Sequence, residues 1–322
     1  MHRDGSHSDT LRRISVIIPI HRRQEGLRNL LEDLTQQTHL PSEVILVNSK
    51  QGISAQDLIE VYKQRLHVQE VFTDNWIGKK RTIGAAHATS ELLVFLDDDV
   101  RIKPKHLEIF SAALHQNPQA VYCGGVVFPP EWVKQSNYYK YKLSRHFANS
   151  PGSRGVRKTL PGYNFVSMNF AIMKSVWNTI GGMREEFKQY GDEDLEFGYR
   201  TIRKGFTVFL VPEAECVHEE VKMTISTFVD KIHLTAGESS RLLQKFAPES
   251  RDSLLLRLTR EEIRDVPVHI KVARLGLKLL DKANVNHWLV RYLQKTDGKP
   301  QLYSPALYNA AVLLANSRRQ QN

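Results

Sequence analysis

From residue 14 onward, short apolar runs alternate with stretches of helical spacing. Ile14-Ser15-Val16-Ile17-Ile18-Pro19 is a near-continuous apolar run, the pattern of a strand buried on both faces. Leu27, Leu30, Leu31 and Leu34 then recur at the three- and four-residue spacing of one helix face. Glu43 to Val47 predicts a second strand. Ser54-Ala55-Gln56-Asp57 reads as a capping box that opens a helix through Leu58, Val61 and Tyr62. A short strand at Val68 to Phe72, a helix around Thr82 to Ala88 and a strand at Leu92 to Leu96 complete the first third. Such alternation predicts an α/β fold with a mixed, mostly parallel central sheet flanked by helices. Ligands of such sheets bind at the carboxyl ends of the strands.

The second half is less regular. Ala120 to Phe128 predicts a strand, followed by an aromatic helix carrying Trp132, Tyr138, Tyr139 and Tyr141. Residues 148–162, ANSPGSRGVRKTLPG, have the composition of a mobile loop. A strand from Asn164 to Met173 is expected, then a helix capped by Ser175 and stopped at Gly181-Gly182. A helix over Glu193 to Lys204, with Leu195, Tyr199 and Ile202 as its apolar face, leads to a strand at Thr207 to Val211. From about residue 226 only helical spacing remains. Val268 to Leu280 is one such stretch, and the last helix is expected to take Ser304 as cap and Pro305 at its first position. The expected organisation is a disordered tail over 1–13, a catalytic domain over 14–225 and a helical C-terminal extension over 226–322.

Composition narrows the picture modestly. The chain has 322 residues and a formal charge of +10, which favours anionic partners without choosing among them. Cys123 and Cys216 sit in apolar surroundings and read as reduced core thiols, and no zinc-type Cys/His spacing occurs. No signal-peptide core and no run of about 20 apolar residues is seen, so a cytoplasmic location is expected.

Four features carry candidate chemistry. Asp97-Asp98-Asp99 follow five apolar residues, and alternation along a strand lets Asp97 and Asp99 share one side, a hard oxygen site for Mg2+ or Mn2+. The competing role is capping of a helix opened by Pro104. Asp192-Glu193-Asp194 enter a helix, where acids also serve as caps, yet one of them suits a general base. His218, flanked by acids, suits Mn2+ alongside carboxylates. Gly78-Lys79-Lys80-Arg81 precede a helix of small residues, an arrangement that suits phosphate. Neither the P-loop spacing nor a G-x-G-x-x-G is present.

In order, ISVIIP, GKKRTIGAAHATSELLVFLDDD, GGMREEFKQYGDEDLEFGYRTIRKG and VHEE resemble the family 2 glycosyltransferases with the A-type nucleotide-sugar fold, over roughly residues 14 to 222. The GDEDLEFGYR region looks closest to chondroitin-polymerase and galactosyltransferase members. The resemblance implies a metal-dependent, inverting transfer from a nucleotide-diphosphate sugar, UDP-sugar favoured, to a glycan or lipid-linked acceptor. It implies Asp99 as a direct ligand of Mn2+ or Mg2+, Asp97 nearer the ribose or a metal-bound water, and His218 completing the metal site. Asp194 would be the base, and Glu193 would contact the acceptor or steady the base. Lys79 and Arg81 would lie near the nucleotide, with Pro19 beneath its base. Asp98 falls beside the nucleotide and is expected to tolerate change best. Two departures stand out: Asn48-Ser49-Lys50 replace the usual acid after the second strand, leaving Asn48 for the base edge, and Ile20-His21-Arg22 replace Thr-Tyr-Asn, leaving His21 for stacking.

Two other readings compete. A sugar nucleotidyltransferase would carry a Gly-rich loop after the first strand, and PIHRRQEG is not one. A basic nucleic-acid or membrane-binding module would make the acidic clusters mere caps; nucleic acid is not expected. The C-terminal helices, with Lys271, Arg274, Lys278 and Lys282, suit peripheral contact with an anionic membrane, or packing on the catalytic domain or in a homo-oligomer.

Overall fold

The computed structural model describes residues 13–21, 24–146, 157–188, 191–220, 223–252, 254–259 and 264–318. The expected tail, apart from Arg13, and the expected loop up to residue 156 lie outside the described residues. Two compact units are formed. The first takes the described residues of Met1–Val127, His146–Lys188 and Glu193–Glu220, and the second those of Phe128–Arg145, Gln189–Asp192 and Val221–Asn322.

The first unit is built on a nine-stranded sheet. Its strands are β1 (Ile14–Pro19), β2 (Glu43–Ser49), β3 (Val68–Thr73), β4 (Leu92–Leu96), β5 (Val100–Ile102), β6 (Ala120–Val127), β7 (Lys158–Leu160), β8 (Asn169–Met173) and β9 (Thr207–His218). Their order is β3-β2-β1-β4-β8-β6-β9-β5, with β7 also on β9. Parallel pairing joins β3, β2, β1 and β4, whereas β8 runs antiparallel between β4 and β6. The sheet is thus mixed and mostly parallel, as the alternation predicts. Every residue of β1, β2 and β4 is buried, which is why each carries a run of apolar residues, and the buried Ser15 and Glu43 meet each other at 2.6 Å.

Helices α1 (Gln24–Thr35), α2 (Gln56–Tyr62), α3 (Ile77–His87) and α4 (His106–Gln116) follow the early strands. The capping box expected at Ser54 is not formed, although the Ser54 hydroxyl accepts from Gln56 N at 3.2 Å. The residue preceding α2 is Ala55, whose N–H donates to Glu70, and the same carboxylate accepts from the Ser54 hydroxyl at 2.8 Å. A long-range acid therefore fixes the turn that a local box was expected to fix. α3 lies close on the sheet because Gly84 has no side chain: a Cβ there would stand 2.4 Å from Ile17 Cγ2 and 3.0 Å from Val47 Cγ2.

Beyond β8 come α7 (Lys174–Ile180) and α8 (Glu193–Arg203), while α5 (Pro130–Gln135) and α6 (Asn137–Arg145) belong to the other unit. Neither a Ser175 cap nor a strand reaching back to Asn164 is found: Met173 precedes α7 with no side-chain cap, and Gly162–Asn164 form a 3-10 turn. α8 also turns the other way from its expected face. Its buried side holds Glu193, Glu196, Phe197, Gly198, Arg200 and Thr201, while Ile202 is exposed. Phe197 packs with Trp177 at 5.2 Å and Phe165 at 5.0 Å, and Phe170 stacks on Phe95 at 4.4 Å. Charged residues occupy the inside of α8 because they pair with one another, as described below.

The second unit is helical: α5 (Pro130–Gln135), α6 (Asn137–Arg145), α9 (Ile225–Phe246), α10 (Leu254–Thr259), α11 (Val268–Lys282), α12 (Val285–Thr296) and α13 (Pro305–Arg318). The single aromatic helix of the sequence reading is two helices, α5 and α6. Tyr138, Tyr139 and Tyr141 share a core with Ile225, Val229, Val290, Leu293 and Tyr308, which is why this segment belongs with the C-terminal helices. Cys123 and Cys216 are free and buried, and burial pushes the Cys123 thiol up to about 12.

The close approach of α3 yields a stability test. Gly84→Val places carbon inside the packed interval between helix and sheet, and it should lower stability by about 1–3 kcal/mol. Urea unfolding reads this directly, and an unchanged midpoint would show that α3 can lift off the sheet at no cost.

Candidate active site

The carboxyl ends of β1, β2 and β4 lie side by side, and Asp97-Asp98-Asp99 leave β4 there in a turn that ends at β5. Each carboxylate meets a different partner. Asp97 Oδ1 accepts from Arg81 Nη2 of α3 at 2.7 Å. Asp98 Oδ2 accepts from the His21 backbone N–H at 2.7 Å. Asp99 Oδ2 lies 3.1 Å from His218 Nε2, at the end of β9. Backbone register supports the last pair: Val100 pairs with His218, and Glu219 N donates to Asp99 O at 2.7 Å. Arg101 then anchors β5 to α1 through a two-point bond to Asp33, at 2.8 and 2.7 Å.

Asp98 does not fit its expected tolerance. It is buried, and its main chain touches α1 so closely that a Cβ on Gly26 would fall 2.6 Å from Asp98 O. The exit of β1 is clamped from both sides. Asp98 takes the His21 N–H, and Lys80 Nζ donates to Ile20 O at 2.8 Å and to Asn75 Oδ1 at 2.8 Å. Asn75 Oδ1 also accepts from Ser49 Oγ at 2.7 Å, which carries the network to the end of β2. Pro19 is buried beneath this edge, paired with Val47, while His21 is exposed above it.

Asn48 is used differently from its expected role at a base edge. Its amide nitrogen donates to Ile53 O at 2.8 Å and Glu70 at 2.7 Å, and its oxygen accepts from Ser49 N at 2.7 Å. Both amide hydrogens are spent on protein acceptors, Ile53 O in the β2–α2 loop and Glu70 of β3, so neither is left for a ligand. Nor is the basic cluster an open phosphate cradle. Lys79 pairs with Asp74 at 3.0 Å and Glu185 at 3.2 Å, Lys80 is buried, and Arg81 is buried against Asp97.

Glu193 and Asp194 open α8. Glu193 is buried and Asp194 half-buried, with Asp194 Oδ1 accepting from Leu195 N at 2.8 Å. A continuous set of contacts joins α8 to the triplet. Arg81 reaches Met183 Sδ at 3.9 Å, and Thr82 exchanges hydrogen bonds with Met183 O and N at 3.2 and 3.1 Å. Next in the chain, Arg184 donates to Glu196 at 3.0 Å. Glu196 is fully buried and takes Arg200 on both oxygens at 2.8 Å, and Arg200 also binds Ile180 O and Gly182 O at 2.7 and 2.8 Å. In buried pairs generally, stranding one partner costs about 3–5 kcal/mol.

Glu196, Arg200, Arg184 and Glu70 are absent from the sequence-derived site, and Lys80 enters it only as a member of the basic cluster. Only Glu196–Arg200 left a signal in sequence, an i,i+4 acid–base pair on a helix. Of the three expected metal ligands, the structure brings Asp99 and His218 together and holds Asp97 on Arg81. Among the described residues no group of three or more His, Cys, Asp or Glu converges as a metal cage. A carboxylate oxygen facing an imidazole nitrogen is nonetheless the mixed donor pair that Mn2+ takes.

Burial lowers the Lys80 ammonium to about 8, with the Asp98 charge opposing the shift. The unfolded chain therefore binds more protons between about 8 and the ordinary 10.5, and this residue makes stability rise with pH across that interval. In Lys80→Met the contribution disappears. Urea midpoints measured across the interval should climb less, or fall more, in the variant than in the parent. Equal slopes would mean that Lys80 titrates as an ordinary lysine.

With this geometry in hand, the comparisons are consistent. The model described as glycosyl transferase family 2 matches residues 15–180, and that of the N-terminal domain of galactosyltransferase matches 150–224. Validoxylamine A glucosyltransferase of Streptomyces hygroscopicus subsp. limoneus is 25% identical over 275 residues, covering 73% of this chain and 58% of that protein. Chondroitin synthase of Pasteurella multocida is 24% identical over 245 residues, 64% of this chain and 25% of that one. The chain thus spans less than two thirds of the length of both. Mannosyltransferase PcManGT from Pyrobaculum calidifontis, in complex with GDP-Man and Mn2+, shares the fold with a TM-score of 0.59 at 15% identity, over 96% of this chain and 87% of that one. On the match over residues 15–180, the chain belongs to glycosyl transferase family 2.

Proposed function

We propose that the chain is a metal-dependent, inverting glycosyltransferase that moves a sugar from a nucleotide-diphosphate donor to a hydroxyl of a glycan or lipid-linked acceptor. The observation that carries the reading is the buried Asp99–His218 pair at the sheet's carboxyl edge, 3.1 Å apart and next to an Arg-held Asp97. In this reading Asp99 and His218 hold Mn2+ or Mg2+. Bound there, the metal supplies Lewis-acid stabilisation of the charge on the departing diphosphate.

The remaining work falls to side chains. Arg81 fixes the Asp97 carboxylate towards the ribose, and the clamped Ile20–His21 backbone presents His21 for the base. Asp194 takes the proton of the acceptor hydroxyl as its oxygen bonds to the anomeric carbon. The bond from that carbon to the diphosphate breaks, and the nucleoside diphosphate leaves on the opposite face. Buried Glu193 steadies the start of α8 beneath the base. UDP-sugars are the first donors to test, with GDP-sugars as the comparison, because Asn48 spends its amide hydrogens on Ile53 O and Glu70 rather than on a base. PcManGT, which carries GDP-Man and Mn2+, supports the comparison.

Calorimetry with a panel of nucleotide sugars, with Mn2+ and with chelator, tests the reading. Asp99→Asn and His218→Ala should abolish the Mn2+-dependent gain in donor binding. Asp194→Asn should keep donor binding and lose about 10²–10⁴ in kcat. Donor binding that is indifferent to chelator in the parent protein would remove the metal from the mechanism, and full turnover by Asp194→Asn would remove the base.

A further inference from the structure

Helix α11 of the second unit has two apolar seams. One holds Ile270 and Leu277, both buried. The other holds Val268, Val272, Leu275 and Leu279, whose exposures are 74%, 64%, 59% and 59%. At about 100° per residue these four fall within an arc of roughly 60°, opposite the buried seam. Four large aliphatic side chains in line on an exposed helix face are not the scattered surface residues of an ordinary protein.

Charge lies beside this stripe in an ordered way. Lys271, Lys278 and Lys282 are exposed and line one flank, roughly 50–90° round from the stripe's centre. Asp281 is the sole acid in the helix and falls towards the buried side. Helix α12 exposes Trp288 and Tyr292 one turn apart, with Arg291 and Lys295 also exposed. Over residues 264–318 the sequence holds nine Lys and Arg against three Asp and no Glu, a surplus of six within a net charge of +10 for the whole chain.

We infer that this face of α11 is a docking surface for an anionic lipid bilayer, with the aliphatic stripe entering the headgroup boundary and the lysine row meeting the phosphates. The pattern is that of an interfacial helix, an apolar face flanked by Lys, and among the described residues no helix is long and apolar enough to cross a membrane. A second copy of the chain is the rival occupant, since the spacing 268, 272, 275, 279 also suits a helix–helix seam. Antiparallel self-pairing, however, sets Lys271 and Lys278 against the same row of the partner. Parallel self-pairing sets them against His269 and Gly276, so neither arrangement offers the lysines an acid. An anionic surface satisfies stripe and row together. The surface is independent of the donor-site chemistry, and its test does not read activity.

The full chain is to be sedimented with vesicles of phosphatidylcholine alone and of phosphatidylcholine mixed with phosphatidylglycerol. Binding is expected only to the mixed vesicles and should weaken with added salt. Each of Lys271→Gln and Lys282→Gln should weaken it roughly fivefold. The double variant Leu275→Ser/Leu279→Ser should lose it by tenfold or more, with an unchanged unfolding midpoint because both positions are exposed. Three results overturn the proposal: no binding to mixed vesicles, binding that survives the double leucine variant, or a dimer by light scattering that this variant dissolves.

Discussion

Three carboxylates in succession at a buried strand end are the constraint around which the first unit is arranged. At about 4 Å and an effective dielectric near 20, two like charges repel by roughly 4 kcal/mol. A small domain cannot carry that uncompensated, since its whole stability is on the order of 5–15 kcal/mol. The solution is separation of partners. Arg81 from α3 takes Asp97, the main chain at the exit of β1 takes Asp98, and His218 from β9 faces Asp99. Because the three partners come from three elements, relieving the repulsion also fixes the positions of α3, the β1 exit and β9. The site is held in place by the same interactions that make its charge tolerable.

The second cluster follows the same logic from the other side of the 181–184 turn. Arg200 and Arg184 converge on one fully buried carboxylate, Glu196, and Arg200 uses its remaining N–H groups on the carbonyls of Ile180 and Gly182. Gly182 can take this turn because its φ of 62 lies in the left-handed region. Thr82 then ties the turn to α3. The strand-end triplet and the start of α8 are therefore linked through paired groups.

How much of this could be read in the sequence depends on what kind of interaction does the placing. β1, β2 and β4 are legible because strands buried on both faces carry continuous apolar stretches, at residues 16–18, 44–47 and 92–96, and the carboxyl-edge location of the triplet follows from the last of them. α8 is misread for a physical reason: hydrophobic periodicity assumes polar residues face water, and here Glu196 and Arg200 cancel one another inside. Asn48 and Ser54 are misread because Glu70, more than a dozen residues away, supplies the acceptor that local turn rules sought nearby. Lys80 is hidden in a run of basic residues that looks solvent-facing, since no composition rule separates a lysine bound to Ile20 O from its neighbours.

The net charge is the remaining term, and the pairings indicate where it resides. In the first unit the conspicuous cations are matched in place: Lys79 with Asp74 and Glu185, Arg81 with Asp97, Arg101 with Asp33, Arg184 and Arg200 with Glu196. A surplus of +10 read from composition appears at first to serve a phosphate-bearing donor. The paired cations near the triplet argue against that, whereas residues 264–318 hold six of the surplus charges with few acids to meet them. An exposed aliphatic stripe, unlike exposed lysines, is the kind of surface that marks an interaction site. On the membrane-docking proposal the excess charge of the C-terminal segment serves adhesion rather than catalysis, two tasks with different demands. Catalysis needs charges held by fixed partners, and adhesion needs charges left at the surface.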